Sequence, residues 1–217
     1  MRGVETACLW VATTNPGKAE EAERLLRAGV AGARRWLRIR HLGELPPAPP
    51  PEETGATYGE NARLKAVAAS ARVPPTDAVL ADDSGIEIDA LGGRPGLQSA
   101  RWGAPDGGMR LSDRQLNELL LRQLRGVPGG QRSARMVAAV VLRLPDGSEF
   151  VGHGVVEGYL AEDIRGGQGF GFDSIFCLPD GRRLSEVSAQ DKDAISHRGQ
   201  AVRSVLPALR RWLDAER

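Results

Sequence analysis

Lysine is almost missing from this chain. Of 217 residues with 29 Lys+Arg, only Lys18, Lys65 and Lys192 are lysine, and the remaining positive charge is arginine. Net charge is nearly missing too, at +1. A balanced chain offers no broad electrostatic grip on nucleic acid, and only a local basic cleft stays open to one. Aromatic residues make up 5% of the chain, too sparse for a row of base-stacking platforms. Its two cysteines, Cys8 and Cys177, sit inside apolar runs and form no C-x-x-C pair. They read as small buried hydrophobes of a reducing compartment. The longest apolar run near the start, Ala7 to Ala12, is too short for a signal peptide or a membrane span. These absences predict a cytoplasmic protein that engages no membrane.

What is present fits one domain over residues 1–217. Apolar content of 41% and charged content of 26% are ordinary for a globular chain long enough to bury a real core. ACLWVAT reads as a buried strand. NPGKAEEAERLLRAG then reads as a helix, with Asn15 as N-cap, Pro16 at the first helical position, and Glu20 and Glu21 in the first turn. Ala22, Leu25, Leu26 and Gly29 line one face of it, and Gly29 or Gly32 can end it. RRWLRIRHL reads as a second strand, and Pro46 to Pro51 as a stiff connector. Thr57 to Glu60 has capping-box spacing and opens a helix running to about Arg72. AVLADDSG reads as a buried strand ending in a polar turn, and IEIDAL as another strand. LSDRQLNELLLRQL is an amphipathic helix. SARMVAAVVLRL and SEFVGHGVVEGYL form a hairpin around Pro145-Asp146-Gly147. A glycine-rich loop leads to a short strand at Ser174 to Leu178, and a helix from about His197 to Ala215, which Pro207 should kink, closes the chain. This alternation predicts an α/β fold with a mixed sheet and flanking helices.

Five stretches carry groups capable of chemistry. Thr13-Thr14-Asn15-Pro16-Gly17-Lys18 joins a buried strand to a helix N-terminus. Free backbone N–H groups and the helix dipole favour an anion there, and Lys18 adds a full charge. It lacks the first glycine and the final Ser/Thr of a P-loop. Asn61 and Lys65 are four apart and share a helix face, with Glu53 in the loop entering that helix. Asp82 and Asp83 follow a buried apolar run, where carboxylates require a metal, a cation or backbone donors. Neighbouring strand residues point to opposite faces, so at most one of the two faces a given cleft. Mg²⁺ suits such hard oxygens and often bridges carboxylates to phosphates. In GFGFDSIF, Gly169 and Gly171 let backbone approach a ligand, Phe170 could stack on a base and Asp173 could accept from a ring N–H, whereas Phe172 and Phe176 fit a buried core equally well. Lys192, His197 and Arg198 gather three cation-capable groups suited to phosphate or a polarised carbonyl. His41 and His153 read as structural. All three lysines fall inside these stretches, and a compact ammonium seats between phosphate oxygens where a guanidinium fork is bulky.

Taken together, ATTNPGK, ETGATYGENARLKA, ADDSGIEIDALGGRPGLQSAR, GFGFDSIF and KDAISHRGQA resemble the ITPase-like pyrophosphatases, which hydrolyse non-standard purine nucleoside triphosphates. The motifs run in family order from about Val11 to Ala201. The resemblance implies an elongated two-lobed α/β fold with a central cleft, usually a homodimer. It implies that Thr13 to Lys18 hold the triphosphate, that Glu53 and Asp83 bind Mg²⁺ and that Asp83 is the base for the attacking water. Ser84 and Lys65 would contact phosphates. Phe170, Gly171, Phe172 and Asp173 would form the base pocket, completed by Lys192, His197 and Arg198. The chain departs from the family at Phe172 and Ser174, where Tyr and Pro are usual, and Ser185-Glu186-Val187 stands where Ala-Glu-Leu is more usual. Losing the tyrosine hydroxyl removes one hydrogen bond near the base.

The implied reaction turns ITP, dITP or XTP into the nucleoside monophosphate and pyrophosphate. Three alternatives compete with it. Phe172 and Ser174 leave room for a house-cleaning hydrolase of other modified nucleotides, pyrimidines included. An aspartyl-phosphate phosphatase would normally carry a D-x-D pair, and here the carboxylates are adjacent. A non-enzymatic nucleotide or nucleic-acid binding module is suggested by Arg34, Arg35, Arg38 and Arg40, against the balanced charge and the carboxylates.

Overall fold

Strand β1 (Ala7–Ala12) is apolar on both faces, and such a strand must be covered on both sides. A computed structural model of the chain describes residues 7–30, 37–104 and 109–215. It places β1 between two parallel neighbours, β2 (Leu37–His41) and β3 (Ala78–Ile88). The six strands lie in the order β2-β1-β3-β4-β5-β6. Strands β4 (Ser133–Arg143) and β5 (Glu149–Leu160) follow one another through a tight turn. There Leu144 N–H donates to Ser148 O at 2.9 Å, and Gly147 takes the left-handed φ of 86°. Strand β6 (Phe176–Cys177) is antiparallel to β5. The fold is mixed α/β, with five helices of the described residues around the sheet: α1 (Pro16–Gly29), α2 (Tyr58–Ser70), α3 (Asp113–Gln123), α4 (Ala189–Ile195) and α5 (His197–Ala215).

The chain divides into two compact units. One holds the residues up to Asp83, Ala138–Gly154 and those from Arg198 onward; the other holds Ser84–Val137 and Val155–His197. In the first unit the pleat of the sheet sorts the core by residue parity. Leu9, Val11, Leu80 and Val140 pack with Leu25 and Leu26 of α1 and with Val202 and Leu209 of α5. Trp10, Ala12, Val79 and Ala81 pack with Ala62, Ala66 and Ala69 of α2. Trp10 is fully buried and its indole N–H donates to Asp77 Oδ2 at 2.7 Å. The second unit has its own core, in which Ile86, Ile88, Leu116, Leu120, Phe172 and Phe176 meet.

Helix caps follow the sequence closely. Asn15 caps α1 by accepting from Lys18 N–H, and Pro16 opens it. Thr57 and Glu60 form the expected capping box on α2, and Ser112 with Gln115 forms one on α3. Some expectations need correction. Glu20 and Glu21 lie beyond the first turn of α1, which contains no acidic residue, because with Pro16 at the first position that turn is filled by Pro16, Gly17, Lys18 and Ala19. The stretch AVLADDSGIEI is one strand, not two: Asp82 and Asp83 are each neutralised by cations, so the ladder runs on without a turn. The strand expected at Ser174 to Leu178 contracts to Phe176–Cys177, since Ile175 and Phe176 N–H groups donate back to Phe172 O in a turn. Cys8 is half-buried and Cys177 buried, both with free thiols. Helix α4 carries no long apolar period to announce it. Gly32, Arg34 and Arg35 lie outside the described residues.

Candidate active site

In the first unit, strand β1 delivers Thr13 and Thr14 to the start of α1. Thr13 Oγ1 accepts from Asn15 N–H at 3.2 Å, and Asn15 Oδ1 accepts from Lys18 N–H at 3.1 Å. This turn holds Lys18 in the first turn of the helix, with its Nζ 3.1 Å from Asp82 Oδ2. β1 ends at Ala12, opposite Ala81 of β3. Asp82 and Asp83 therefore lie just past the end of the parallel pair, although within their own strand.

The two carboxylates serve opposite faces, as the alternation requires. Asp82 faces α1 and α5, where Oδ2 accepts from Lys18 and from Arg198 Nε at 3.2 Å. Arg198 also donates through Nη1 to Glu21 Oε2 at 2.6 Å, and Glu21 is fully buried. Asp83 faces α2, where Oδ1 accepts from Lys65 Nζ at 2.6 Å and Oδ2 from Asn61 Nδ2 at 3.4 Å. Lys65 Nζ also reaches Glu53 Oε1 at 2.9 Å. Asn61 Oδ1 accepts from Gly55 N–H at 2.8 Å, which ties the loop carrying Glu53 to the start of α2. Gly55 has no room for a side chain: a Cβ there would stand 2.7 Å from that same Oδ1.

These surroundings drive the adjacent carboxylates apart. Burial opposes the charge of Asp82, but Lys18, Arg198 and Lys65 outweigh it and hold the carboxyl well below the usual range. Burial raises Asp83, helped by Glu53, and Lys65 only partly offsets the rise. Burial pulls Lys18 down, with Arg198 and Lys65 adding repulsion. Lys65 is raised, because Asp83, Asp82 and Glu53 together outweigh its desolvation. One strand thus presents a carboxylate whose ionised form is favoured by its cations and, next to it, one with greater proton affinity.

In the second unit, the loop through GFGFDS folds around Asp173. Its Oδ2 accepts from Phe170 N–H at 2.9 Å and from Lys192 Nζ. Asp173 and Lys192 are both buried. Gly169 adopts a φ of 83°, and a Cβ on it would stand 2.1 Å from Asp173 Oδ2. The Lys192 ammonium lies 4.6 Å from the centroid of the Phe170 ring. His197 is buried at the start of α5, and Ser84 is half-buried in β3. Phe172 turns into the core of the unit beside Phe176.

Every site residue expected from the sequence lies among the described residues. Lys18, Lys65, Glu53, Asp83 and Arg198 gather around one strand of the first unit, and Phe170, Asp173 and Lys192 gather in the second. Asp82, Glu21 and Asn61 complete the first cluster. Asp82 was singled out with Asp83 but given no role, and Glu21 was not anticipated as a site residue, because their partners come from distant segments. Among the described residues no three His, Cys, Asp or Glu side chains converge on a metal position. Glu53 Oε1 and Asp83 Oδ1 nevertheless converge on one cation, the Lys65 ammonium. Two hard carboxylate oxygens brought within reach of a single positive centre fit Mg²⁺, which fills its remaining positions with water and phosphate.

The protein is thus of the mixed α/β class, with ammonium groups seated on the carboxylates of Asp82, Asp83 and Asp173. Within that class the chain belongs to the Ham1 family, whose model matches residues 9–208. It is 42% identical over 193 residues to a protein of Geobacillus kaustophilus named dITP/XTP pyrophosphatase, covering 88% of this chain and 89% of the relative. A protein of Symbiobacterium thermophilum bearing the same name is 43% identical over 206 residues, covering 95% and 96%. Among solved structures, a HAM1 protein from Coxiella burnetii matches with a TM-score of 0.76 at 33% identity, covering 95% of this chain and 100% of its own. A crystal structure titled nucleoside-triphosphatase / dITP/XTP pyrophosphatase, from Mycobacterium abscessus, matches with a TM-score of 0.67 at 38% identity over 93% and 99%.

Proposed function

We propose that the protein is a nucleoside triphosphate pyrophosphatase that hydrolyses ITP, dITP and XTP to the nucleoside monophosphate and pyrophosphate, with Mg²⁺ as cofactor. The observation that carries this reading is the Lys65 ammonium held between Glu53 and Asp83, 2.9 and 2.6 Å away, in a chain over 40% identical to proteins named dITP/XTP pyrophosphatase. Glu53 and Asp83 are the residues that would hold Mg²⁺, which when bound supplies charge neutralisation at the phosphates. Thr13, Thr14, Asn15, Pro16 and Gly17 offer the N-terminus of α1 to the triphosphate, with Lys18, Lys65 and Ser84 as further phosphate partners. Asp83 accepts the proton of the attacking water, whose oxygen bonds to the α-phosphorus as the bond to the bridging oxygen breaks and pyrophosphate departs. Phe170, Gly171 and Asp173, with Lys192 and His197, hold the base; Phe172, expected to join them, backs the loop from the core, and Arg198, expected there too, serves Asp82 and Glu21 in the first unit instead. A pocket that hydrogen-bonds a 6-oxo purine rejects a 6-amino purine strongly, because its buried partners are then mismatched.

Pyrophosphate release from ITP, dITP and XTP, measured beside GTP, ATP and dUTP with and without Mg²⁺, tests the assignment. Inert ITP, dITP and XTP would refute it, and preferential turnover of a pyrimidine would move it to another nucleotide class. The working protein is taken as a cytoplasmic homodimer of one domain spanning residues 1–217. Leu64 and Val67 of α2 and Val151 of β5 are exposed apolar side chains on neighbouring elements, a face suited to a second copy. Light scattering and a single cooperative unfolding transition are expected, and a monomer would remove the dimer from the proposal.

A further inference from the structure

Gly171 is held from both sides by one helix. Its N–H donates to Asp113 Oδ2 at 2.6 Å, and its carbonyl accepts from Asn117 Nδ2 at 2.9 Å. Asp113 and Asn117 are four apart on α3, so they share a face and close on the peptide like two jaws. Gly171 itself sits at a φ of 62°, in the left-handed region that favours glycine. The second Nδ2 proton of Asn117 goes to Ser174 Oγ, also at 2.9 Å. That acceptor exists because this chain has serine there; a proline could not supply it. Asn117 is buried, yet its Oδ1 has no hydrogen-bond partner among the described residues. A buried amide left with an idle carbonyl is costly, and the opposite flip would set Oδ1 against the Gly171 carbonyl. The orientation is therefore fixed by the two bonds it donates.

The gripped segment carries the groups assigned to the base. Phe170 precedes Gly171, and Asp173, which pairs with Lys192, immediately precedes Ser174. We propose that Asn117 and Asp113 are positioning residues that set base selectivity by fixing the Phe170–Asp173 turn through Gly171 and Ser174. This rests on the loop being the base pocket of a purine triphosphate pyrophosphatase. The jaws touch no substrate themselves. They decide where the Phe170 ring and the Asp173 carboxylate stand, and displacements of about 1 Å at such groups cost up to roughly 10²-fold.

The experiment compares kcat and KM for dITP and dATP, with Mg²⁺, in the wild type and in Asn117→Asp. This variant keeps the size of the side chain but replaces both donors with an acceptor. Its KM for dITP should rise about tenfold or more while kcat changes less than about threefold, and the dITP:dATP ratio of kcat/KM should fall about tenfold, as expected for a mispositioned pocket. Asp113→Ala and Ser174→Ala each remove one bond and should give smaller shifts in the same direction, with Ser174→Thr restoring the ratio; they carry the test if Asn117→Asp does not fold. In a cycle of Asn117→Ala with Ser174→Ala the effects should be non-additive. An unchanged ratio in the folded variants, or an equal loss of kcat on both nucleotides, overturns the proposal. A wild type inert on dITP, or Phe170→Ala with an unaltered KM, overturns the functional reading beneath it instead, and the inference with it.

Discussion

Asp83 carries two charges of responsibility at once, as an ion partner of Lys65 and as the proposed proton acceptor. Asp83→Asn keeps the shape and leaves Lys65 paired to Glu53. Turnover should vanish while the folded state persists, judged by circular dichroism beside the pyrophosphate assay; a near-normal rate would remove Asp83 from its role. Glu23 gives a separate pH prediction. Burial acts to raise its pKa, but Arg27 and His41, each hydrogen-bonded to it, bring it below the ordinary 4.5. A depressed carboxylate stabilises above its unfolded pKa and loses that contribution as pH falls through the folded one. Glu23→Gln should thus cost about 1 kcal/mol near neutrality, and the gap in denaturant midpoint should close as pH drops below about 4. Arg132 is buried and donates to the carbonyls of Leu124, Val127 and Ala161, each at 3.0 Å. Two of these lie at or beyond the open C-terminal end of α3, where a cation is favoured. Arg132→Ala strands three acceptors, two of them in buried bonds, and should lower stability by about 3 kcal/mol in urea unfolding; a change within error would show that water replaces the guanidinium.

Helix α2 owes its start to the reciprocal bonds of Thr57 and Glu60, and it presents Asn61 and Lys65 to Asp83. Thr57→Ala should cost about 1 kcal/mol, read as a lower thermal midpoint, and Thr57→Ser should recover it. Such caps were legible in the sequence because donor and acceptor lie within three residues. The amphipathic α3 and α5 were legible for the same local reason. Strand β3 was not. Asp82, Asp83 and Ser84 resemble a turn until their partners are known, and Asp82 meets Lys18 and Arg198 across 64 and 116 residues. Alternation correctly sent the two aspartates to opposite faces, but it could not say that both faces carry cations. Helix α4 and the shortness of β6 were hidden likewise, since seven residues and two residues carry too little periodicity to register.

For the molecule as a whole, each unit has its own apolar core and its own pairing of ammonium with buried carboxylate. The sequence picked out Lys18, Lys65 and Lys192, and each proves to be paired with an aspartate, whereas the joint commitment of Arg198 to Glu21 and Asp82 was not readable. The near-absence of lysine now has a practical outcome. An acylating reagent attacks only the neutral amine, and Lys18 and Lys65 have almost equal side-chain exposure, 20% and 19%. Their environments push in opposite directions, Lys18 toward the free amine and Lys65 away from it. With sparing reagent at mildly alkaline pH, peptide mass mapping should find the label on Lys18 well before Lys65. Nucleotide should shield both, and the reverse order of labelling would contradict the electrostatics of the Asp82–Asp83 step.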